Sequence, residues 1–375
     1  MRILWIPQVS CLSSEGKLLL SKDSNITFVR KMLKTSLFTE NEVLICFEYD
    51  DEEIKRLMEE FISINKNISF VNKRHRSFKG AFLERFNFDI DMMVEVNNKY
   101  KPDIVFVNEP TKALPMKYIF KDSKIVSYIH WLAADNMKFL MHRQIEGIEA
   151  SDICYVNSKY VVERLKESGI KADKVKVFYP PSGEEIYDLK HFGENGIIYN
   201  HRLSSDAYYL KAFNDLLEVL DYVENKVGTD NMPKVYFTNP SGKDVDIECR
   251  KPYFVKQEFC STEEYKSFLK SKKVGLHINS FFDSKGMWCS STTDCGVYGI
   301  PCLLPKKFGY KEIFADGYYG YCESKDEMKT KLLEYVKNPE IIYENSKNIK
   351  SDMELISPDK VCEKISEELK GLIKC

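Results

Sequence analysis

The feature that most constrains this chain is an alternation that occurs twice: short apolar runs separated by longer segments with helical spacing of apolar residues. Such alternation argues for β-α repeats and parallel sheets. In the first half, strand-like runs fall at 3–7, 42–47, 68–71, 103–107, 124–129, 153–156 and 175–178. Between them, 25–37 opens on an asparagine cap, and 52–65 carries apolar residues at three- and four-residue steps. Ser158 reads as the cap of a helix over 159–168 that ends at Gly169. A second series follows, with strands at 197–199, 234–238, 253–256, 274–278 and 301–305. Its helices are expected at 208–225, 262–271, 291–298 and 325–337. The Pro- and Gly-containing stretch 180–196 reads as a linker, and 357–375 as an amphipathic helix that packs back on the N-terminal domain. The expectation is an α/β protein of two doubly wound Rossmann-like domains, 1–185 and 196–356, facing a cleft where open α/β sheets take their ligands.

A chain of 375 residues is too long for one ordinary core, and no low-complexity tract interrupts it. Its 11 cysteines include no C-x-x-C or other metal-type spacing, so no metal site is expected. They read as reduced, buried small hydrophobes of a reducing compartment. The first residues are no signal peptide, and no apolar run approaches the roughly 20 residues of a membrane span. The expected location is the cytoplasm, with no transmembrane segment.

The most informative stretch is 274–314. An apolar strand ends, a glycine-containing loop turns, and a helix opens on four consecutive hydroxyl residues, Ser290, Ser291, Thr292 and Thr293. Backbone N–H groups at such a helix start suit a diphosphate, which the helix dipole favours. A plain N-cap without a ligand is the competing reading.

The segment resembles the donor-binding signature of the retaining GT-B glycosyltransferases (glycosyltransferase group 1, family 4-like), as a divergent member. In that family two glutamates separated by seven residues precede a small-residue helix ending in Gly-x-Pro. Asp294 occupies the second acidic position, five residues before Gly299-Ile300-Pro301; the first falls on Gly286, with Asp283 three residues earlier as a substitute. The resemblance implies that Asp294 binds the ribose hydroxyls and that amides of Trp288, Cys289, Ser290, Ser291 and Thr292 hold the diphosphate. Asn200-His201-Arg202-Leu203 with Lys211 resembles the family's Arg and Lys at the start of the second domain, which implies that Arg202 and Lys211 meet the donor diphosphate. His130 and Trp131, ending the strand 125–129, match a family histidine near the donor sugar. The stretch 253–265 sits where relatives hold the base. The implied protein is a metal-independent, retaining hexosyltransferase that binds no cofactor and uses a UDP- or GDP-sugar as substrate. In a front-face route, the departing diphosphate oxygen would take the acceptor proton.

The acceptor side diverges most. Arg74, Arg76 and Lys79 are interleaved with Phe70, Phe78, Phe82 and Phe86, a pattern that suits nucleic acid through phosphate neutralisation and base stacking. Phage-type DNA base glucosyltransferases are an analogue; a solvated loop with core-facing phenylalanines is the bland alternative. A nucleotide-sugar epimerase and a non-catalytic GT-B-like binding protein are the other readings.

Overall fold

The computed structural model describes residues 1–8, 23–47, 52–72, 89–133, 138–183, 185–189, 194–201, 203, 207–238, 250–259, 261–282 and 288–374. The chain divides into two compact units, Met1–Pro181 with Ile356–Cys375, and Ser182–Leu355.

The first unit holds seven parallel strands: β1 (Arg2–Ile6), β2 (Glu42–Phe47), β3 (Ile68–Asn72), β4 (Ile104–Val107), β5 (Lys124–Ile129), β6 (Ile153–Val156) and β7 (Val175–Val177). Their order is β3-β2-β1-β4-β5-β6-β7. The chain builds outward from β1, returns beside it with β4 and builds the other way. Strand order therefore reverses at β1/β4, and ligands of such sheets bind beyond the C-terminal ends there. β4 and β6 are buried along their whole length, and Trp5 stacks on Phe106 at 4.0 Å across the β1/β4 pair.

The second unit repeats the plan with β8 (Gly196–Tyr199), β9 (Val235–Phe237), β10 (Phe254–Lys256), β11 (Val274–Ile278), β12 (Cys302–Pro305) and β13 (Tyr321–Cys322). The order β10-β9-β8-β11-β12-β13 reverses at β8/β11. Both units are doubly wound, as expected from the sequence. β13 was not anticipated, because two residues make no apolar run.

Three local differences have physical causes. The helix expected over 25–37 is Ser24–Met32 followed by a separate turn, Ser36–Thr39, because Thr35 is extended between them (ψ 162°). Its cap is Asp23, whose Oδ1 accepts from the N–H groups of Asn25 and Ile26 at 2.9 and 3.1 Å. Much of the supposed linker belongs to the second unit: Tyr187 donates its N–H to the Val297 carbonyl at 2.8 Å, and its ring stacks on Tyr298 at 5.2 Å.

The last helix, Pro358–Lys374, is part of the first unit. It buries Val361, Cys362, Ile365 and Leu369, and its Glu368 accepts from the Tyr155 hydroxyl of β6 at 2.7 Å. Among the described residues no helix is long and apolar enough to cross a membrane.

Candidate functional site

In the second unit, the C-terminal ends of β8 and β11 open onto the helix Ser290–Val297. The turn leaving β11 is fixed from below by a buried carboxylate. Asp215, on the helix Ala207–Val227, accepts the Ser280 hydroxyl at 3.0 Å and the Phe282 N–H at 2.7 Å, and pairs with Lys325 at 2.7 Å. Lys211 lies one turn earlier on that helix, exposed, with its ammonium 4.2 Å from the centroid of the Phe282 ring. The structure thus brings Lys211 to the loop that begins the signature segment.

The helix starts one residue earlier than the sequence suggested, with Cys289 as N-cap (φ −108°, ψ 97°) and no side chain capping it. Its first-turn N–H groups, from Ser290 to Thr292, form the positive end of the helix dipole. The four hydroxyls separate into two kinds. Thr292 and Thr293 are buried; Thr292 donates to the Cys289 sulfur at 3.2 Å and Thr293 to the Ser290 carbonyl at 2.9 Å. Ser290 is exposed, and Ser291 Oγ sits 3.3 Å from His201 Nε2. The hydroxyls of Thr292 and Thr293 are therefore committed to the interior, a division that the unbroken run of hydroxyl residues does not reveal. Trp288, just before the cap, is buried.

Cys289 sulfur has Ser291 Oγ at 3.1 Å, His201 Nε2 at 3.7 Å and Asn279 Nδ2 at 3.8 Å. Burial pushes this thiol up, but the charge of the nearby His201 ring and hydrogen bonds from His201, Ser291 and Thr292 outweigh it. The pKa consequently lies below the ordinary thiol value.

Beneath the helix start, Asn200 directly follows β8 and is buried. Its Oδ1 faces His277 Nε2 at 2.9 Å; its Nδ2 donates to the Tyr265 hydroxyl at 2.8 Å and the Ser291 carbonyl at 3.1 Å, with Cys295 sulfur at 3.6 Å. Burial, and then the charge of His201, holds His277 well below the ordinary imidazole pKa, so the ring is neutral. Asp294, half-buried on the next turn, is close enough that its charge helps to push up the Tyr265 and Tyr298 phenols, after burial as the main cause.

In the first unit, His130 follows β5, edge-on to Tyr128 at 4.4 Å and Phe28 at 5.1 Å. Asn108 Nδ2 lies 3.2 Å from its Nε2, and Asn157 donates to its carbonyl at 3.0 Å. The buried Gln144 ties this end together, donating to the Trp131 carbonyl at 2.9 Å and Glu109 Oε1 at 3.2 Å, and accepting from the Ala133 N–H at 2.9 Å. Asn108, Glu109 and Gln144 were missed at the level of sequence; the only signal was Asn-Glu-Pro directly after an apolar run.

Arg202, Asp283, Gly286, Arg74, Arg76 and Lys79 lie outside the described residues. Among the described residues no group of three or more His, Cys, Asp or Glu could hold a metal ion.

No protein-family model matches the sequence, and no curated protein matches it. Solved structures do. Anabaena HepE in complex with UDP-glucose superposes with a TM-score of 0.70 at 12% identity, over 99% of this chain and 100% of HepE. This chain has the GT-B fold. The lipopolysaccharide outer core galactosyltransferase WaaB gives a TM-score of 0.64 at 16% identity, covering 99% of both chains. A variant of Staphylococcus aureus TarM, in complex with fondaparinux, alpha-GlcNAc-glycerol and UDP, gives 0.69 at 15% identity, over 98% of this chain and 99% of TarM. The GT-B expectation drawn from the signature segment is met along the full chain.

Proposed function

We propose that this chain is a glycosyltransferase that takes a hexose from a UDP-sugar and delivers it to an acceptor hydroxyl. One observation carries the reading: in a GT-B fold, the helix Ser290–Val297 presents a start without a side-chain cap at the β8/β11 reversal, flanked by His201 and Ser291. An anion seated there meets first-turn amides and the helix dipole, the arrangement that favours phosphate. UDP rather than GDP is favoured by the UDP and UDP-glucose complexes of the structural neighbours.

The chemistry needs stabilisation of negative charge as the nucleoside diphosphate departs. Amides of residues 288–292 supply fixed dipoles, and Arg202 and Lys211 supply cations, so a metal ion is not required by this reading. Asp294 takes the ribose hydroxyls. The retaining outcome follows from the family resemblance of this segment, with the departing oxygen accepting the acceptor proton.

The test is incubation of the full chain with UDP-glucose, UDP-galactose, UDP-N-acetylglucosamine and GDP-mannose, with and without acceptor mixtures, scoring nucleotide release. Release of UDP is expected, slow without acceptor. Interconversion of the sugars would instead assign an epimerase, and binding without turnover in any mixture a binding protein.

A further inference from the structure

We infer that Asn200 is a positioning residue for the donor diphosphate: its carboxamide sets where the amides of the helix Ser290–Val297 stand. The inference rests on the donor reading above and deepens it.

Asn200 touches no substrate atom in this scheme, because its side chain is buried under the helix start. It joins four elements instead. Oδ1 holds His277 of β11, while Nδ2 reaches Tyr265 of the helix Thr262–Lys270 and both Ser291 and Cys295 of the helix Ser290–Val297. Asn200 itself follows the last residue of β8. The orientation of the amide is decided by the Ser291 carbonyl, which can only accept; the reversed amide would set two oxygens against each other. With Nδ2 on Ser291 and Tyr265, Oδ1 must receive a proton from His277. The neutral His277 ring therefore carries its hydrogen on Nε2, leaving Nδ1, which has no hydrogen-bond partner among the described residues, unprotonated.

The consequence is directional. The bond to the Ser291 carbonyl holds the first turn of the helix against the end of β8, so the N–H groups of that turn keep a fixed bearing. Preorganised donors of this kind act without reorganising when the anion arrives. Through Tyr265 the same carboxamide also holds the helix Thr262–Lys270, whose phenol feels the Asp294 charge. The titratable groups around it are His277, Tyr265 and Cys295 in contact, with His201, Cys289 and Asp294 beyond them.

Asn200→Leu separates positioning from electrostatics. It keeps the size of the side chain and adds no charge at the helix start, but can neither donate to Ser291 and Tyr265 nor accept from His277. UDP and uridine binding are measured by calorimetry for the full chain and the variant, alongside thermal unfolding. Positioning predicts that the variant folds and loses at least tenfold in UDP affinity, with less than threefold change for uridine, which lacks the phosphates. Equal losses for both ligands, or unchanged UDP affinity, overturn it. Should the variant not fold, Tyr265→Phe loosens the carboxamide at one partner; a two- to fivefold weaker UDP affinity is expected, and an unchanged one overturns the role. If the unmodified chain binds no UDP, the donor reading fails and takes this role with it, an outcome distinct from failure of the variants alone.

Discussion

Asp215 accepts the Phe282 N–H through Oδ2, the same oxygen that takes the Ser280 hydroxyl, at 2.7 and 3.0 Å. One buried carboxylate thus fixes the first turn of the loop that leads from β11 to the helix Ser290–Val297. Its other oxygen pairs with Lys325 at 2.7 Å. Removing the carboxylate leaves Ser280 and Phe282 with their bonds to each other and Lys325 with Glu218, but strips all three of their shared buried acceptor. Asp215→Ala should cost about 3 kcal/mol in urea unfolding and reduce UDP-sugar turnover of the folded protein. Asp215→Asn can still accept from Phe282 and should retain more of both. Full turnover in the alanine variant would sink the link between this turn and the site.

Gly299 tests backbone against space. Its φ of +66° lies where L side chains are strained, and an added Cβ would stand 2.1 Å from the Asp188 carbonyl oxygen. Gly169 has φ +84° with nothing within 4 Å. Gly169→Ala should cost about 1–2 kcal/mol, the price of the left-handed backbone alone. Gly299→Ala must also displace the backbone at Asp188 and Leu189, so its loss in chemical denaturation should exceed that of Gly169→Ala. Equal losses would show that this backbone moves freely away.

The strands were readable because parallel strands covered on both faces are nearly continuous apolar runs, and 103–107 and 274–278 are plain examples. Its spacing to Gly299-Ile300-Pro301 set Asp294 in the acidic position of the resembled signature, and the structure has it half-buried on the helix Ser290–Val297. The support of the site was not readable. Asn200 finds its partners 65, 77, 91 and 95 residues away, and no local pattern links an asparagine to residues that only the β8/β11 reversal brings together. Cap choice between Asp23 and Asn25 failed for a different reason: both side chains can cap, and only backbone angles decide.

Arg202→Ala and Lys211→Ala should each lower UDP-sugar turnover at least tenfold, about 1.4 kcal/mol of transition-state stabilisation, without lowering the unfolding midpoint. Lys211→Arg keeps the charge beside Phe282 and should recover most of the rate. Steady-state kinetics with the best donor of the panel decides it. Near-normal turnover in both alanine variants would remove these cations from the diphosphate.

Cys289 should give the proposed donor site a pH dependence. Its thiol pKa is lowered in the folded protein, so the thiolate grows in below the ordinary thiol value of about 8.5. A diphosphate at the same helix start opposes that anion and favours the protonated thiol. By linkage, the complex binds more protons than the free protein, and UDP affinity falls as pH rises. Titrations between about pH 6 and 8.5 span the range in which that thiolate forms beside the charged His201 ring. In that window Cys289→Ser should flatten the decline. A decline of the same slope in the variant would place its origin elsewhere.

The last helix should carry part of the stability of the first unit, although it is the most distant segment in sequence. Cys362, Ile365 and Leu369 are at most 1% exposed, and Tyr155 of β6 donates to Glu368, which also pairs with Lys176 of β7 at 3.4 Å. The Tyr155 phenol is pushed far up, by burial first and then by the Glu368 charge, so it remains a donor throughout the working pH range. Leu369→Ala removes buried methyl groups from this seam and should cost about 3 kcal/mol. Tyr155→Phe removes one hydrogen bond to a charged group and should cost about 1.5–2 kcal/mol, since Lys176 still pairs with the carboxylate. The two changes remove different contacts of one helix, so their double variant reports whether the helix docks as a unit. A loss smaller than the sum of the single losses is expected if the helix releases entirely, because release caps the loss at the docking free energy of the helix. Strict additivity, measured by urea unfolding, would show that the two contacts hold independently.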